Sequence, residues 1–353
     1  MVTTRATLGA RAINAVPMAT NQGFKSVVFR RPGDADYYFH LLEKVKPELV
    51  RRASGTTFLE ISGTEFGAIV VPSPPSNEKL TIAQILDTLD TAIHETEAII
   101  AKLKAVKQGL LHDLLTRGID TNGELRPPRS EAPHLYKFSQ LGWIPKEWDV
   151  RKVSEVAEVK SGSTPSREQA NRYFASIGIP WVKTLDLNED VIWETDESIT
   201  GTALRETSCV LLPKGTVLVA MYGGWEQVGR TALLAVSATT NQAISALVFG
   251  SERTVPEFVL RALQHGRPRW QRVAASTRKD PNITKADVLA FEIPFPAPEE
   301  QTEIARRVRA SLDRLRLEAD SLAKLRIQKA GLMDDLLTGR VRVTPLLKEA
   351  AAA

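Results

Sequence analysis

The sequence predicts an α+β chain in which a β-rich domain is followed by a long α-helix, twice, with the two helices packed on each other. Three observations predict it. The first is the stretch from about Leu80 to Arg117, which lacks proline and has one glycine, Gly109. Ile82, Leu89, Leu103 and Leu110 recur every seven positions, with Thr96 in the same series. Ile85, Ala92, Ile99 and Val106 lie three residues after each. That is the a/d seam of a helix packed along its length on another. Leu86, Ile93 and Ile100 widen the apolar face. Ser76 and Asn77, after Pro74 and Pro75, supply helix-capping chemistry. At 1.5 Å per residue the helix spans about 57 Å.

The second observation is a second copy. A forward shift of 222 positions registers this helix, without a gap, on the C-terminal stretch. Pro74 meets Pro296, Ile82 meets Ile304, Leu86 meets Val308, Ile93 meets Leu315 and Leu103 meets Leu325. The ending K-x-G-L-x-x-D-L-L-T occurs at Lys107–Thr116 and again at Lys329–Thr338. Long amphipathic helices share composition, but not an ungapped register and a common ending. The third observation is that the residues before each helix also repeat. Thr20-Asn21-Gln22 matches Thr240-Asn241-Gln242 at a shift of 220, and Ile61 and Pro72 match Ile283 and Pro294 at 222. The repeating unit is therefore a β-rich domain plus a helix.

Taken in order, residues 1–75 read as β-rich, with a short helix pattern from Tyr37 and one or two strands between Thr56 and Pro75. They form an incomplete first domain, because Met1 aligns near Met221 and about 80 residues of the second unit have no counterpart before it. The central helix is expected over 76–118. Gly, Pro, Asn and charged residues mark 119–142 as a linker. A complete second domain follows over 143–297, then the C-terminal helix over 298–340 and a tail over 341–353. A strand-rich fragment short of its pairing partners leaves backbone groups and apolar faces uncovered.

At 353 residues the chain has room for two or three cores. No apolar run approaches the roughly 18 residues needed to cross a membrane. One cysteine, Cys209, excludes an internal disulfide framework and fits the cytoplasm; beside Val210 and Leu211 it reads as a small buried hydrophobe. The net charge of +4 says little. Its distribution says more: Arg261, Arg267, Arg269, Arg272, Arg278 and Lys279 occur with no acid among them. That run reads as an anion-binding surface, with a merely solvated surface as the alternative.

The order of these features resembles the specificity subunit of type I restriction–modification systems. The residues that carry the resemblance are LGWIPKEWDV with the downstream SGSTPS, the MYG…GR…TNQA run, the Ile/Pro-rich strand before each helix, and the twice-used K-x-G-L-x-x-D-L-L-T. The resemblance implies two target-recognition domains, with the two helices forming an antiparallel coiled coil that acts as a ruler between them. It implies binding to double-stranded DNA at a bipartite target, docking of two methyltransferase subunits, and a restriction–translocase subunit as a further partner. It implies no cofactor on this chain, S-adenosylmethionine, ATP and Mg²⁺ belonging to the partners. The departure is the incomplete first domain.

Enzyme signatures are missing. There is no G-x-x-x-x-G-K-[ST] loop and no N-P-P-aromatic tetrapeptide, the nearest string being Asp280-Pro281-Asn282-Ile283. The five histidines have no metal-ligand spacing. Binding chemistry is present instead. Anchoring on phosphates takes Lys, Arg, hydroxyls and backbone N–H groups, and reading bases takes forked donors or amides. Candidates in loop-like stretches are Lys160, Ser161, Ser163, Thr164 and Arg167 around Gly162 and Pro165; Lys183 and Thr184; Tyr222, Gly223 and Gly224; and Arg278, Lys279 and Asn282. Asn241 and Gln242 are able to read adenine, but Asn21 and Gln22 occupy the same place in the other unit, which favours a structural turn. Trp143 and Trp148 read as packing at the domain entry. A coiled-coil interaction protein, or a remnant without specific DNA binding, is the alternative function.

Overall fold

Both long helices form where the pattern places them. In the computed structural model they span Ser76–Thr116 and Pro298–Leu337. The structure describes residues 1–353 apart from 32, 56–57, 275–280, 346 and 348–353. The described chain divides into two compact units, one of residues 1–103 with 314–353 and one of residues 104–313, so each helix contributes a part to each unit.

The sheltered stripe of the central helix is Ile82, Leu86, Leu89, Ile93, Thr96, Ile100, Leu103, Lys107, Leu110 and Leu114, none of them exposed. The counterparts 222 positions on, from Ile304 and Val308 to Leu332 and Leu336, are equally sheltered. This corrects the second half of the expected seam, Ile85 and Ala92 being part-buried. The second line of the stripe lies four residues after Ile82, not three, a rotation of about 100° around the helix. Ile99 and Val106, placed on the seam by the sequence, are 44% and 54% exposed.

In the first unit, Ile82, Ala83 and Leu86 share a core with Met333, Leu336, Leu337 and Val343, and with Tyr37 and Leu41 of the helix Asp34–Arg52. Glu97 pairs with Arg326 (2.7 Å) and Asp90 with Lys329 (2.6 Å). Burial pushes the Tyr37 hydroxyl up to about 12. A smaller core holds Val2, Leu8, Leu49 and Ile61. Residues 1–75 are not β-rich, contrary to the pattern. Among the described residues they hold one pair of two-residue strands, Val2–Thr3 with Phe24–Lys25, and a short helix, Gly63–Gly67, where a strand was expected. Ser62 caps that helix by accepting from the Glu65 amide.

The second unit is richer in strands. A five-stranded sheet runs in the order Glu158–Ser161, Ile244–Val248, Val217–Ala220, Thr231–Leu234 and Val191–Ile192, antiparallel except for the last pair. A four-stranded sheet orders Thr239–Thr240, Ile179–Val182, Ser198–Ile199 and Phe174–Ala175. Val217–Ala220 is buried on both faces and reads accordingly as an unbroken apolar run. Asp149–Lys152 pairs with Glu292–Phe295 immediately before the C-terminal helix. The repeat extends to backbone geometry: Gly9 and Gly229, 220 positions apart, both take positive φ (80° and 72°), which a side chain disfavours.

Residues 119–142, read as a linker leading into the second domain, carry part of this unit's interior. Ile119 lies in the main core beside Trp148. Glu300 ties the region together. It accepts from the Ile119 amide (2.7 Å), from the Trp148 indole (3.0 Å) and from both terminal nitrogens of the buried Arg126. Arg126 also reaches Glu147 at 2.8 Å. Among the described residues no helix is long and apolar enough to cross a membrane.

Glu300→Ala leaves the Arg126 guanidinium buried without its main partner. It is expected to lower the unfolding free energy of this unit by about 3–5 kcal/mol, measured by urea unfolding followed through tryptophan fluorescence.

Candidate nucleic-acid interface

Strand pairing, antiparallel in the five-stranded sheet and parallel between Ile179–Val182 and Thr239–Thr240, sends the ends of several strands of the second unit to one place. The C-terminal ends of Glu158–Ser161, Ile179–Val182, Val217–Ala220 and Thr239–Thr240 meet the N-terminal end of Ile244–Val248. The loops that leave these ends carry most of the candidate residues, and they touch one another.

Gly162 makes the first junction. A Cβ there would collide with the Asn241 carbonyl and the Thr240 hydroxyl, so only glycine lets the loop lie this close. Next to it, the Ser163 amide donates to the Thr240 carbonyl (2.8 Å) and the Thr164 hydroxyl to Gln242 Oε1. The Ser163 carbonyl accepts from the Trp181 indole at 3.0 Å and from the buried Cys209 thiol at 3.4 Å. Asn241 closes its own turn: its Oδ1 accepts from the Ala243 amide (3.1 Å), and its amide donates to the Val182 carbonyl (3.0 Å). The turn role that the repeat favoured for Asn241 matches this geometry.

Lys183 and Thr184 follow Val182 directly. A Cβ built on Gly223 would lie 3.8 Å from the Thr184 methyl, so the Tyr222–Gly224 loop rests beside Thr184. Tyr222 forms a bridge with Asn282, and the Met221 amide donates to the Ala243 carbonyl. Burial raises the Tyr222 hydroxyl, although the ring is part exposed. Lys160, Ser161, Ser163, Thr164, Lys183, Thr184, Tyr222, Gly223, Gly224 and Asn282 thus form one contiguous surface. Arg278 and Lys279 lie outside the described residues.

Among the described residues, the candidate cations Lys160, Arg167 and Lys183 are already partnered. Arg167 reaches Glu197 Oε2 at 2.7 Å, and Lys183 Nζ reaches the other oxygen at 2.9 Å. The Arg167 guanidinium also lies over the Phe174 ring (4.1 Å) and near the Trp181 ring (5.2 Å). Hydrogen bonds from Arg167 and then Lys183 hold the Glu197 carboxyl at about 2, and Glu197 in turn raises the Lys183 ammonium. Lys160 faces Glu158 at 3.4 Å. Sequence reasoning missed Glu197, because nothing local marks a residue 30 positions from one partner and 14 from the other. It also missed Leu185, which stands 76% exposed beside Thr184.

Three members of the basic run from Arg261 are held by partners, which corrects the reading for them; Arg272 is exposed, and Arg278 and Lys279 lie outside the described residues. Arg261 is 2% exposed, donating to the Glu189 carbonyl and pairing with Asp190. Arg267 binds Glu189 and the carbonyls of Val228 and Glu226. Arg269 donates to the Glu292 carbonyl and covers the Phe291 ring. These three hold the helices Pro256–His265 and Arg267–Ala274 against the sheet. Trp148 is fully buried, as read, whereas Trp143 is 45% exposed under the Arg129 guanidinium.

Glu197→Gln tests the shared carboxylate. A carboxyl held at about 2 against an ordinary 4.5 stabilises the folded state above the ordinary value, and that contribution is lost as pH falls through the lower one. Melting temperatures taken across that window are expected to fall less steeply in the glutamine variant than in the wild type.

Comparison with known proteins accords with this architecture. A family profile described as "Type I restriction modification DNA specificity domain" matches residues 1–105 and 145–326. The type I restriction enzyme MjaVIII specificity subunit of Methanocaldococcus jannaschii is 27% identical over 319 residues, covering 88% of this chain and 71% of that protein. The MjaIX specificity subunit of the same organism is 30% identical over 174 residues, 48% of this chain and 39% of the relative. The crystal structure of a type I restriction-modification S subunit from M. genitalium shares the fold, with a TM-score of 0.63 at 15% identity over 95% of this chain and 82% of its own. The chain belongs to the type I restriction–modification DNA specificity family.

Proposed function

We infer that this chain is the DNA-specificity subunit of a type I restriction–modification complex, a recognition subunit rather than a catalyst. The observation that carries the reading is the loop surface of the second unit, in a chain matched at both ends by a DNA specificity profile. Its composition suits a duplex. Backbone and hydroxyl donors at Ser161, Ser163, Thr164 and Thr184 suit phosphates, with Lys160, Lys183 and Arg167 as charges. Asn282, Tyr222 and Gln242 are the side chains suited to base edges. Glu197 keeps the two cations aligned until phosphates compete for them.

The loops belong to the second unit, so the reading assigns one half-site to it. Weak binding to a half-site duplex is expected from the isolated chain; a nanomolar footprint over two half-sites would contradict the assignment. The long helices would set the spacing to a second reader, since half-sites on one face lie about 34 Å or more apart. Modification and restriction subunits are the partners, in the cytoplasm where the DNA is, and S-adenosylmethionine, ATP and Mg²⁺ would bind to them. Two modification subunits, one for each unit, is the stoichiometry we propose.

Neutralising Lys160, Lys183, Arg278 and Lys279 together is expected to weaken duplex binding. The slope of log affinity against log salt should fall by about 0.9 for each phosphate that is no longer neutralised. An unchanged affinity and slope, measured by fluorescence anisotropy over a salt series, would sink the reader hypothesis.

A further inference from the structure

A cavity of about 210 Å³ in the second unit gathers bases, with no acid among its lining residues. His265, Arg269 and Thr116 line it, and Trp143, Ile144 and Pro294 give it an apolar wall. The His265 imidazole meets that of His112 on the central helix, with ring nitrogens 3.5 Å apart. At that distance their mutual hydrogen bond is weak. Arg269 donates through one terminal nitrogen to the Glu292 carbonyl (2.8 Å). Among the described residues its other nitrogens have no hydrogen-bond or carboxylate partner. Arg129, over the Trp143 ring at 4.4 Å, adds a further cation beside the wall. The first turn of the helix Arg267–Ala274 also borders the cavity, and a helix start favours negative charge.

The repeat shows what stands beside a base at these positions. At a shift of 222 His112 corresponds to Asp334, and at 221 His265 corresponds to Lys44. In the first unit those two residues form an ion pair, the Lys44 ammonium donating to the Asp334 carboxylate. The same two helical positions therefore meet in both units, as base and acid in one and as two bases in the other. The next acid along does not fill the gap. Asp335 in one copy and Asp113 in the other each pair locally, with Arg340 (3.3 Å) and Arg117 (3.4 Å). The electrostatics agree. Burial against the cavity wall pushes the His265 imidazole below its ordinary value, although an edge stays open to solvent, and His112 and Arg269 add to the effect. Burial also lowers the Arg269 guanidinium, with Glu292 opposing and Arg272 adding to the shift.

We propose that this cavity is an oxyanion site that takes one phosphate group among His265, His112 and Arg269. The anion brings the negative charge that Asp334 brings in the first unit. Each neutral imidazole has one N–H to donate, and the unused nitrogens of Arg269 donate beside them. Charge-assisted hydrogen bonds of this kind are roughly twice as strong as neutral ones. A phosphate oxygen taking the N–H of either imidazole replaces only the weak contact between the two rings. Free phosphate and the backbone of a duplex carry the same group, and the test separates these sources. The inference stands on the paired bases and the repeat, independent of DNA reading.

The test uses the full chain with isotope-labelled histidine, followed by NMR during titration with inorganic phosphate. Sodium chloride at matched ionic strength is the control. Phosphate is expected to move the His265 and His112 ring signals saturably. It should also raise the His265 titration midpoint by about one pH unit, because a nearby anion favours the protonated form. His112→Asp, at an exposed helix position, restores the acid of the other unit. That variant should show the raised midpoint without phosphate and bind phosphate at least about tenfold more weakly. His265→Gln should remove the response of His112. The absence of a saturable shift, an equal shift in chloride, or an undiminished response in His112→Asp would overturn the proposal. A short duplex in place of phosphate then identifies the source. Movement of the same two signals assigns the site to backbone phosphate, and a response to phosphate alone assigns it to a free oxyanion; both support the site.

Discussion

Strand edges must be paired or covered, and that constraint decides what each unit of this chain is. A row of backbone donors and acceptors left without partners costs free energy comparable to lost hydrogen bonds, and it attracts other strands. In the second unit the segment Asp149–Ser161 closes two edges at once, against Glu292–Phe295 and Ile244–Val248. Its valines then complete the core that carries Phe258, Leu263 and Ile293. In the first unit the equivalent backbone is present and the closing segment is not among the described residues. The same sequence pattern that yields strands in one unit therefore yields no strand at residues 26–29 and 70–73 in the other. Sequence alternation creates the face of a strand, but a neighbour creates the strand.

The long helices were legible because their pattern is local and repeated. Heptad spacing, the shared ending and the absence of proline each survive without knowledge of the partner. The heptad phase was not legible to one residue. Ile85, Ala92, Ile99 and Val106 are as apolar as the true second line, which includes Lys107. Their burial depends on what lies opposite, and polar residues enter the sheltered stripe where a partner is available: Lys329, on the stripe of the other helix, pairs with Asp90. The strands of the first unit were misread for the reason already given, since periodicity carries no account of pairing.

At the loop surface, the composition of turns around Gly162, Gly223 and Pro165 was enough to select stretches that the fold brings into contact. Position followed from topology: the pairing, antiparallel in one sheet and parallel between Ile179–Val182 and Thr239–Thr240, returns these strand ends to one edge, so loops far apart in sequence become neighbours. Charge was the part that sequence did not reveal. Arg261, Arg267 and Arg269 looked like an anion-binding run, yet each is held by carbonyls or carboxylates from elements far away in the chain. A basic residue becomes a free cation only when no acid or carbonyl reaches it, and that is a property of the folded neighbourhood.

Partnered cations also affect how this surface would discriminate. Bare cations at strand ends attract any duplex, because phosphates are the same for every sequence. Here Arg167 and Lys183 share one carboxylate, and Lys160 faces another. A phosphate that takes either cation from Glu197 must replace an ion pair already made, so the net gain from charge alone is small. What remains to favour one duplex over another is the fit of neutral donors, the hydroxyls and amides held by the Gly162 and Asn241 turns. Lowering the sequence-independent term while keeping the directional one raises the ratio of specific to non-specific binding, which is the quantity a recognition subunit needs. On the proposed DNA-reading role, Glu197, invisible as a site residue in the sequence, would be the residue that makes this surface selective.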